Sequence, residues 1–330
     1  MQAWRVHETG EPREVLRLDE VPLPEPGPGQ VRLRVRAAAV NFPDALLCRG
    51  RYQVRPPLPF TPGVEMCGEL DALGEGVDAA GPFAPGSRVI STAALPGGAF
   101  AQYAVVPAAG VLAAPEALDD AEAAALHIGY QTGWFALHRR AAIRPGETLL
   151  VHAAAGGVGS AAVQLGKAAG AFVIGVVGGP EKAAVAEALG ADVVVDRHGE
   201  DFVAAVKEAT AGRGADVVFD PVGGEAYTRS TKCVAFEGRI VVVGFSSGTI
   251  PAPGLNHALV KNYSILGLHW GLYAEREPAA VRAAHDELTR LAEEGMIRPL
   301  VSERLPLADA PDAITRVAQG TTTGRLTLHP

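Results

Sequence analysis

The sequence predicts an α/β protein in two parts, a β-rich portion and a doubly wound parallel sheet. Three observations carry this. Residues 30–40, QVRLRVRAAAV, alternate apolar and charged side chains, the signature of a half-exposed strand. From about Ala121 apolar runs alternate with Ala-rich helical stretches, which indicates parallel strands joined by crossover helices. The first of those runs, TLLVH, leads directly into the glycine-rich turn AAAGGVG.

Taken in order, the first third is a series of short β-like runs separated by proline- and glycine-dense loops, LPEPGPG and RPPLPFTPG among them. Residues 89–115 lack charge, but Pro96 and Pro107 and their neighbouring glycines make buried strands and turns the reading, not a membrane span. The middle region then reads TLLVHAA, a helix through Lys167, AFVIGVV, a helix over 181–189, ADVVVD, a helix over 202–209, ADVVFD and RIVVVG. The end predicts an amphipathic helix over 278–294, a short helix over 309–319 and a last strand over 324–329.

Composition bounds the function. At 330 residues, 48% hydrophobic and 20% charged, the chain has material for two domains with large cores. A formal net charge of -8 without Lys/Arg clusters argues against nucleic acid, and the start MQAWRVHETG has no secretory pattern. Three separated cysteines, Cys48, Cys67 and Cys233, fit reduced thiols in a cytoplasmic protein. The histidines, including His127, His138, His152, His257 and His269, are not spaced as metal ligands.

The strongest motif is His152-Ala153-Ala154-Ala155-Gly156-Gly157-Val158-Gly159. Against G-x-G-x-x-G it replaces the first glycine by Ala154 and keeps Gly156 and Gly159, placing Gly156, Gly157 and Val158 where backbone amides meet a pyrophosphate. A site for NAD usually ends the second strand in an acid that binds the ribose 2′-OH. Here the chain reads VVGGPEK, with Gly178 at the strand end, Lys182 shortly after, and Arg197 following the third strand. Two cations and no acid at the strand end favour a 2′-phosphate, hence NADPH.

The stretch AAAGGVGSAAVQLGKAAGAFVIGVVGGPEK, with NFPDALLCRGRYQV and PFTPGVEMCGEL upstream, resembles the quinone oxidoreductase (zeta-crystallin-like) branch of the medium-chain dehydrogenase/reductase family. The resemblance implies a GroES-like catalytic domain, residues 1–122 and 268–330, around a Rossmann domain, residues 123–267. It implies that Asn41 and Tyr52 lie near the nicotinamide as catalytic candidates, Asn41 also touching the coenzyme, and that Thr132 sits by its ribose or amide. It also implies that Val222, Gly244, Phe245, Ser246 and Arg325 line the cofactor. A second tyrosine of such enzymes falls on Leu46 here, leaving proton donation to Tyr52 or water.

Zinc-dependent relatives carry Gly-His-Glu where this chain has Gly63-Val64-Glu65, and a four-cysteine lobe where residues 86–103 hold no cysteine. The expectation is therefore no metal, with Cys67 a small buried apolar side chain. Without a Lewis acid, hydride transfer to an electron-poor acceptor is favoured over alcohol oxidation. A quinone fits, and so do the C=C bonds of alkenals and enoyl thioesters. Two readings from other classes compete: a non-catalytic nucleotide-binding protein, and a serine hydrolase suggested by G-x-S-x-G at 244–248. The hydrolase motif needs a helix next, but TIPAPG follows. The apolar run YSILGL at 263–268 predicts an unprotected sheet edge, and the resemblance implies a homodimer joined through it.

Overall fold

The computed structural model describes residues 1–79 and 84–330, which divide into two compact units, 1–128 with 299–330, and 129–298. The first unit holds β1 (Gln2–Val6), β2 (Leu16–Glu20), β3 (Gln30–Ala39), β4 (Glu65–Leu73), β5 (Arg88–Thr92), β6 (Tyr103–Pro107) and β7 (Leu112–Ala113). The second holds β8 (Thr148–His152), β9 (Phe172–Val177), β10 (Val193–Asp196), β11 (Ala215–Asp220), β12 (Val234–Val242) and β13 (Ser264–Gly267). The chain then returns to the first unit with β14 (Val301–Pro306) and β15 (Arg325–His329).

The first unit is β-rich for the reason its sequence suggests. Along β3, Val31, Leu33 and Val35 are buried, while Arg32 and Arg36 reach Asp71 and Glu69 on the neighbouring strand, each at 2.6 Å. A seven-stranded sheet runs β14-β15-β3-β4-β5-β7, with β6 also on β3, and β1 pairs with β2 separately. Between β3 and β4 lies the helix Phe42–Cys48, whose start is set by Asn41 and by Asp44, which accepts a 2.7 Å bond from the Asn41 amide.

In the second unit all six strands are parallel, in the order β10-β9-β8-β11-β12-β13. The order reverses between β8 and β11, so crossover helices cover both faces and the carboxyl ends of these strands meet at a switch point, where such sheets bind ligands. Leu150, Ile174, Val176, Val195, Phe202, Val206, Val218 and Ile240 form the core of one face.

The division differs from the expected boundaries at 122/123 and 267/268. The helices Trp270–Arg276 and Pro278–Glu293 belong with the parallel-sheet unit, because Gln131 donates to the Val281 carbonyl at 2.9 Å and Phe135 stacks on Tyr273 with centroids 4.4 Å apart. The helix Asp120–Trp134, with its π-helical continuation Phe135–Arg140, is an addition to the sequence reading. Most of its faces are buried, so it carries no amphipathic stripe to read. After Gly248 no helix starts before Leu255, so the nucleophile-elbow geometry is not formed. All three cysteines are free and buried. Among the described residues no helix is long and apolar enough to cross a membrane.

Candidate functional site

The glycine-rich turn leaves β8 and opens the helix Gly157–Ala168, with Gly156 as its N-cap. Ala153 carries the left-handed backbone of the turn at φ 52°, and the Gly156 amide donates to its carbonyl at 2.8 Å. A Cβ on Gly159 would lie 2.0 Å from that same carbonyl oxygen, which is why no side chain is possible there. The amides of Gly157 and Val158 fall in the first helical turn, where they have no intrahelical acceptor and sit at the positive end of the dipole. The helix Asp120–Trp134 runs alongside: a Cβ on Gly129 would be 3.6 Å from the Gly157 carbonyl, and Thr132 follows one turn later, buried.

Gly178 and Lys182 follow β9, and Arg197 follows β10. The structure brings these three together. A Cβ on Gly178 would stand 2.9 Å from Arg197 Nε, and the Lys182 ammonium has its pKa lowered, first by burial and then by Arg197. Asp196, a carboxylate close by, is turned to the backbone: its Oδ1 accepts from the amides of Gly179 at 2.9 Å and His198 at 3.1 Å. It therefore braces the two strand ends against each other.

Sequence reading missed Asp220, although the signal was present in ADVVFD followed by PVGG. Its buried Oδ1 accepts from the amides of Val222 and Gly223, both at 2.9 Å, while Oδ2 has no hydrogen-bond partner among the described residues and burial raises its pKa. This fixes the loop at Val222 against the next one. Ser246 N donates to the Pro221 carbonyl at 3.0 Å, Ser247 N to that of Val222 at 3.1 Å, and a Cβ on Gly223 would be 2.8 Å from the Phe245 ring. Val222, Gly244, Phe245 and Ser246 are thus assembled at the carboxyl ends of β11 and β12.

The first unit contributes a buried charge cluster. Glu65 Oε1 accepts from Asn41 Nδ2 at 2.8 Å and pairs with Arg325 Nη2, while Oε2 accepts from the Ile128 amide at 2.7 Å. Asn41 Nδ2 also donates to the Ala39 carbonyl at 3.1 Å. The structure therefore places Asn41 and Arg325, expected beside the coenzyme, on Glu65. Tyr52 packs against the core of this unit, where burial and the Asp44 carboxylate raise the pKa of its phenol, so the hydroxyl is a proton-bearing donor at neutral pH.

This donor set does not fit zinc. A guanidinium occupies the Glu65 carboxylate, Val64 has no ligand atom, and burial pushes the Cys67 thiol up to about 12, so no thiolate is offered. Among the described residues no group of three or more His, Cys, Asp or Glu is arranged to hold a metal ion.

Asp44 gives a pH prediction. Its carboxyl is fully buried and its pKa is raised by desolvation to about 7, against the lowering effect of amides from Asn41 and Gly63 and of Arg325. The folded state therefore holds a proton that the unfolded chain releases near pH 4. Stability should fall by on the order of 1 kcal/mol per pH unit between about pH 4 and 7 and level off above. Asp44→Asn should remove that slope in urea unfolding; an unchanged slope would assign it elsewhere.

Comparison with known proteins fits this geometry. The family model described as an alcohol dehydrogenase GroES-like domain matches residues 27–116, and the one described as zinc-binding dehydrogenase matches 157–286. A quinone oxidoreductase-like protein 2 homolog of Nematostella vectensis is 36% identical over 298 residues, covering 89% of this chain and 80% of that protein. The human quinone oxidoreductase is 32% identical over 330 residues, 99% of this chain and 97% of its own. The chain belongs to the quinone oxidoreductase branch of the medium-chain dehydrogenase/reductase family. The solved structure of the Escherichia coli quinone oxidoreductase complexed with NADPH matches the whole of both chains at 32% identity with a TM-score of 0.91. As in this family generally, the β-rich unit is the GroES-like part and the parallel sheet the Rossmann part.

Proposed function

We propose that this medium-chain oxidoreductase is an NADPH-dependent, zinc-independent quinone reductase of the cytoplasm. The observation that carries the coenzyme reading is the juxtaposition of Gly178, Lys182 and Arg197 beside the phosphate-binding turn. The relatives named for quinone reduction, and the Escherichia coli neighbour complexed with NADPH, support the same reading. When bound, the coenzyme supplies a hydride. The protein's part is to cradle the pyrophosphate on Gly156, Gly157 and Val158, to neutralise the 2′-phosphate with Lys182 and Arg197, and to seat the nicotinamide against Thr132, Val222 and residues 244–246. Tyr52, held protonated, would donate to the acceptor oxygen as charge builds there. Asn41 and Arg325 would act through Glu65, keeping its charge satisfied within the catalytic domain.

Initial rates of NADPH oxidation with 1,4-benzoquinone, 9,10-phenanthrenequinone, a 2-alkenal and crotonyl-CoA test the acceptor. Highest kcat/KM with the quinones is expected. Preference for the alkenal or thioester would move the assignment to C=C reduction, and no turnover with any acceptor would leave a nucleotide-binding protein. Elemental analysis should find no stoichiometric zinc, and activity should persist in EDTA; zinc near one per chain would overturn the reading of Val64.

The assembly proposed is a homodimer. β13 is the terminal strand of its sheet, carries no charge or proline, and among the described residues pairs only with β12. Nearby, the helix Leu255–Lys261 exposes Leu255 and Leu259 at 73% and 77%. Light scattering should give the mass of two chains, reduced to one by Ile265→Pro; a dimer that survives this substitution would place the interface elsewhere.

A further inference from the structure

The Rossmann unit has a second recess, at the opposite ends of its strands from the coenzyme turn. It is lined by residues 212–214, which enter β11, and residues 232–234, which enter β12, both at amino ends, whereas the phosphate turn leaves the carboxyl end of β8. Its volume is about 430 Å³, within the range of small-molecule sites.

The charge around this recess runs against the composition of the protein. In a chain of net charge -8, Lys207, Arg213, Lys232 and Lys261 line it and, among the described residues, no carboxylate does. Arg213 is paired with Asp216 at 3.5 Å. Among the described residues the three lysines have no ion pair, and Lys261 Nζ gives one bond, 2.7 Å to the Thr231 carbonyl. The pKa of Lys261 is lowered first by burial, and Lys207 and Lys232 push it the same way. Lys207 and Lys261 each end a helix, where the dipole favours a cation. Lys232 directly follows the C-cap Thr231 of the helix Gly224–Ser230, so all three lysines stand at helix carboxyl ends. Beside the cations stand Phe236 and Val260, exposed at 71% and 76%. Several unneutralised cations converging on one recess match a dianionic phosphate, and the apolar pair matches a group attached to it.

We propose that this recess binds a small phosphomonoester, its phosphate among Lys207, Lys232 and Lys261 and its apolar group on Phe236 and Val260. The site is separate from the coenzyme. Fluorescence titration with 1-naphthyl phosphate, at low salt and with NADP⁺ already saturating, should show saturable binding of one per chain. Lys207→Ala/Lys232→Ala should weaken it by at least about tenfold. Phe236→Ala should weaken naphthyl phosphate while leaving inorganic phosphate unchanged, which distinguishes an organic ester from a simple anion. An unchanged NADP⁺ affinity and melting temperature would show that the variants are folded. No saturable binding in the presence of NADP⁺, equal affinity in the double lysine variant, or equal affinity of inorganic and naphthyl phosphate would overturn the proposal.

Discussion

Gly178→Asp is expected to reverse the coenzyme preference, shifting the ratio of kcat/KM for NADPH over NADH by roughly a hundredfold to ten-thousandfold. The new carboxylate would meet Arg197, whose Nε lies 2.9 Å from the position of the added Cβ. A guanidinium is the flexible end of a side chain, so the substitution is sterically tolerable, and the pair it forms removes one cation from the 2′-phosphate. The same carboxylate repels that phosphate and offers acceptors to the free ribose hydroxyls of NADH. Each effect is of the size of a charged hydrogen bond, about 1.5–3 kcal/mol, and the two act in the same direction. Lys182→Ala removes one cation only, so KM for NADPH should rise tenfold to a hundredfold with little change for NADH. Equal losses for both coenzymes in either variant would show that these residues do not meet the 2′-phosphate.

Arg325→Met is expected to cost about 3–5 kcal/mol, because it removes one partner of a buried ion pair and leaves the Glu65 charge uncompensated. Glu65 has no exposed surface, and its remaining partners, the Asn41 amide and the Ile128 backbone, carry no full charge. The melting temperature should fall by roughly 10 °C. Glu65→Gln on the same background should recover much of the loss, since a neutral amide no longer needs the guanidinium. A double variant no better than the single one would show that Arg325 stabilises by packing alone.

The two predictions differ in how far the sequence reaches. Gly178, Lys182 and Arg197 lie within 20 residues of one another, and their meeting follows from alternation of strands and helices that the chain displays openly. In a parallel sheet successive strand ends are adjacent, so Lys182 after one strand and Arg197 after the next are brought together by the topology alone. The glycine-rich turn was legible for the same reason, since its glycines are demanded by backbone contacts within eight residues, such as that of Gly159 with Ala153. The alternation in β3 likewise reports which face is buried.

Glu65 and Arg325 are 260 residues apart, and nothing local to either announces the other. A loop contact of that separation is created only when β15 is added beside β3, which brings the last strand under the segment that begins β4. Asn41 was visible as a polar residue in a recognisable stretch, but its commitment to Glu65 depends on this closure. The placement of residues 270–294 with the Rossmann unit was also decided by packing, through Gln131 and Phe135, because an amphipathic helix displays its apolar face without naming the surface that covers it. The basic recess belongs to the same class: its four cations come from separate helix ends and loops, and only the parallel sheet, by aligning the amino ends of β11 and β12, places them around one space.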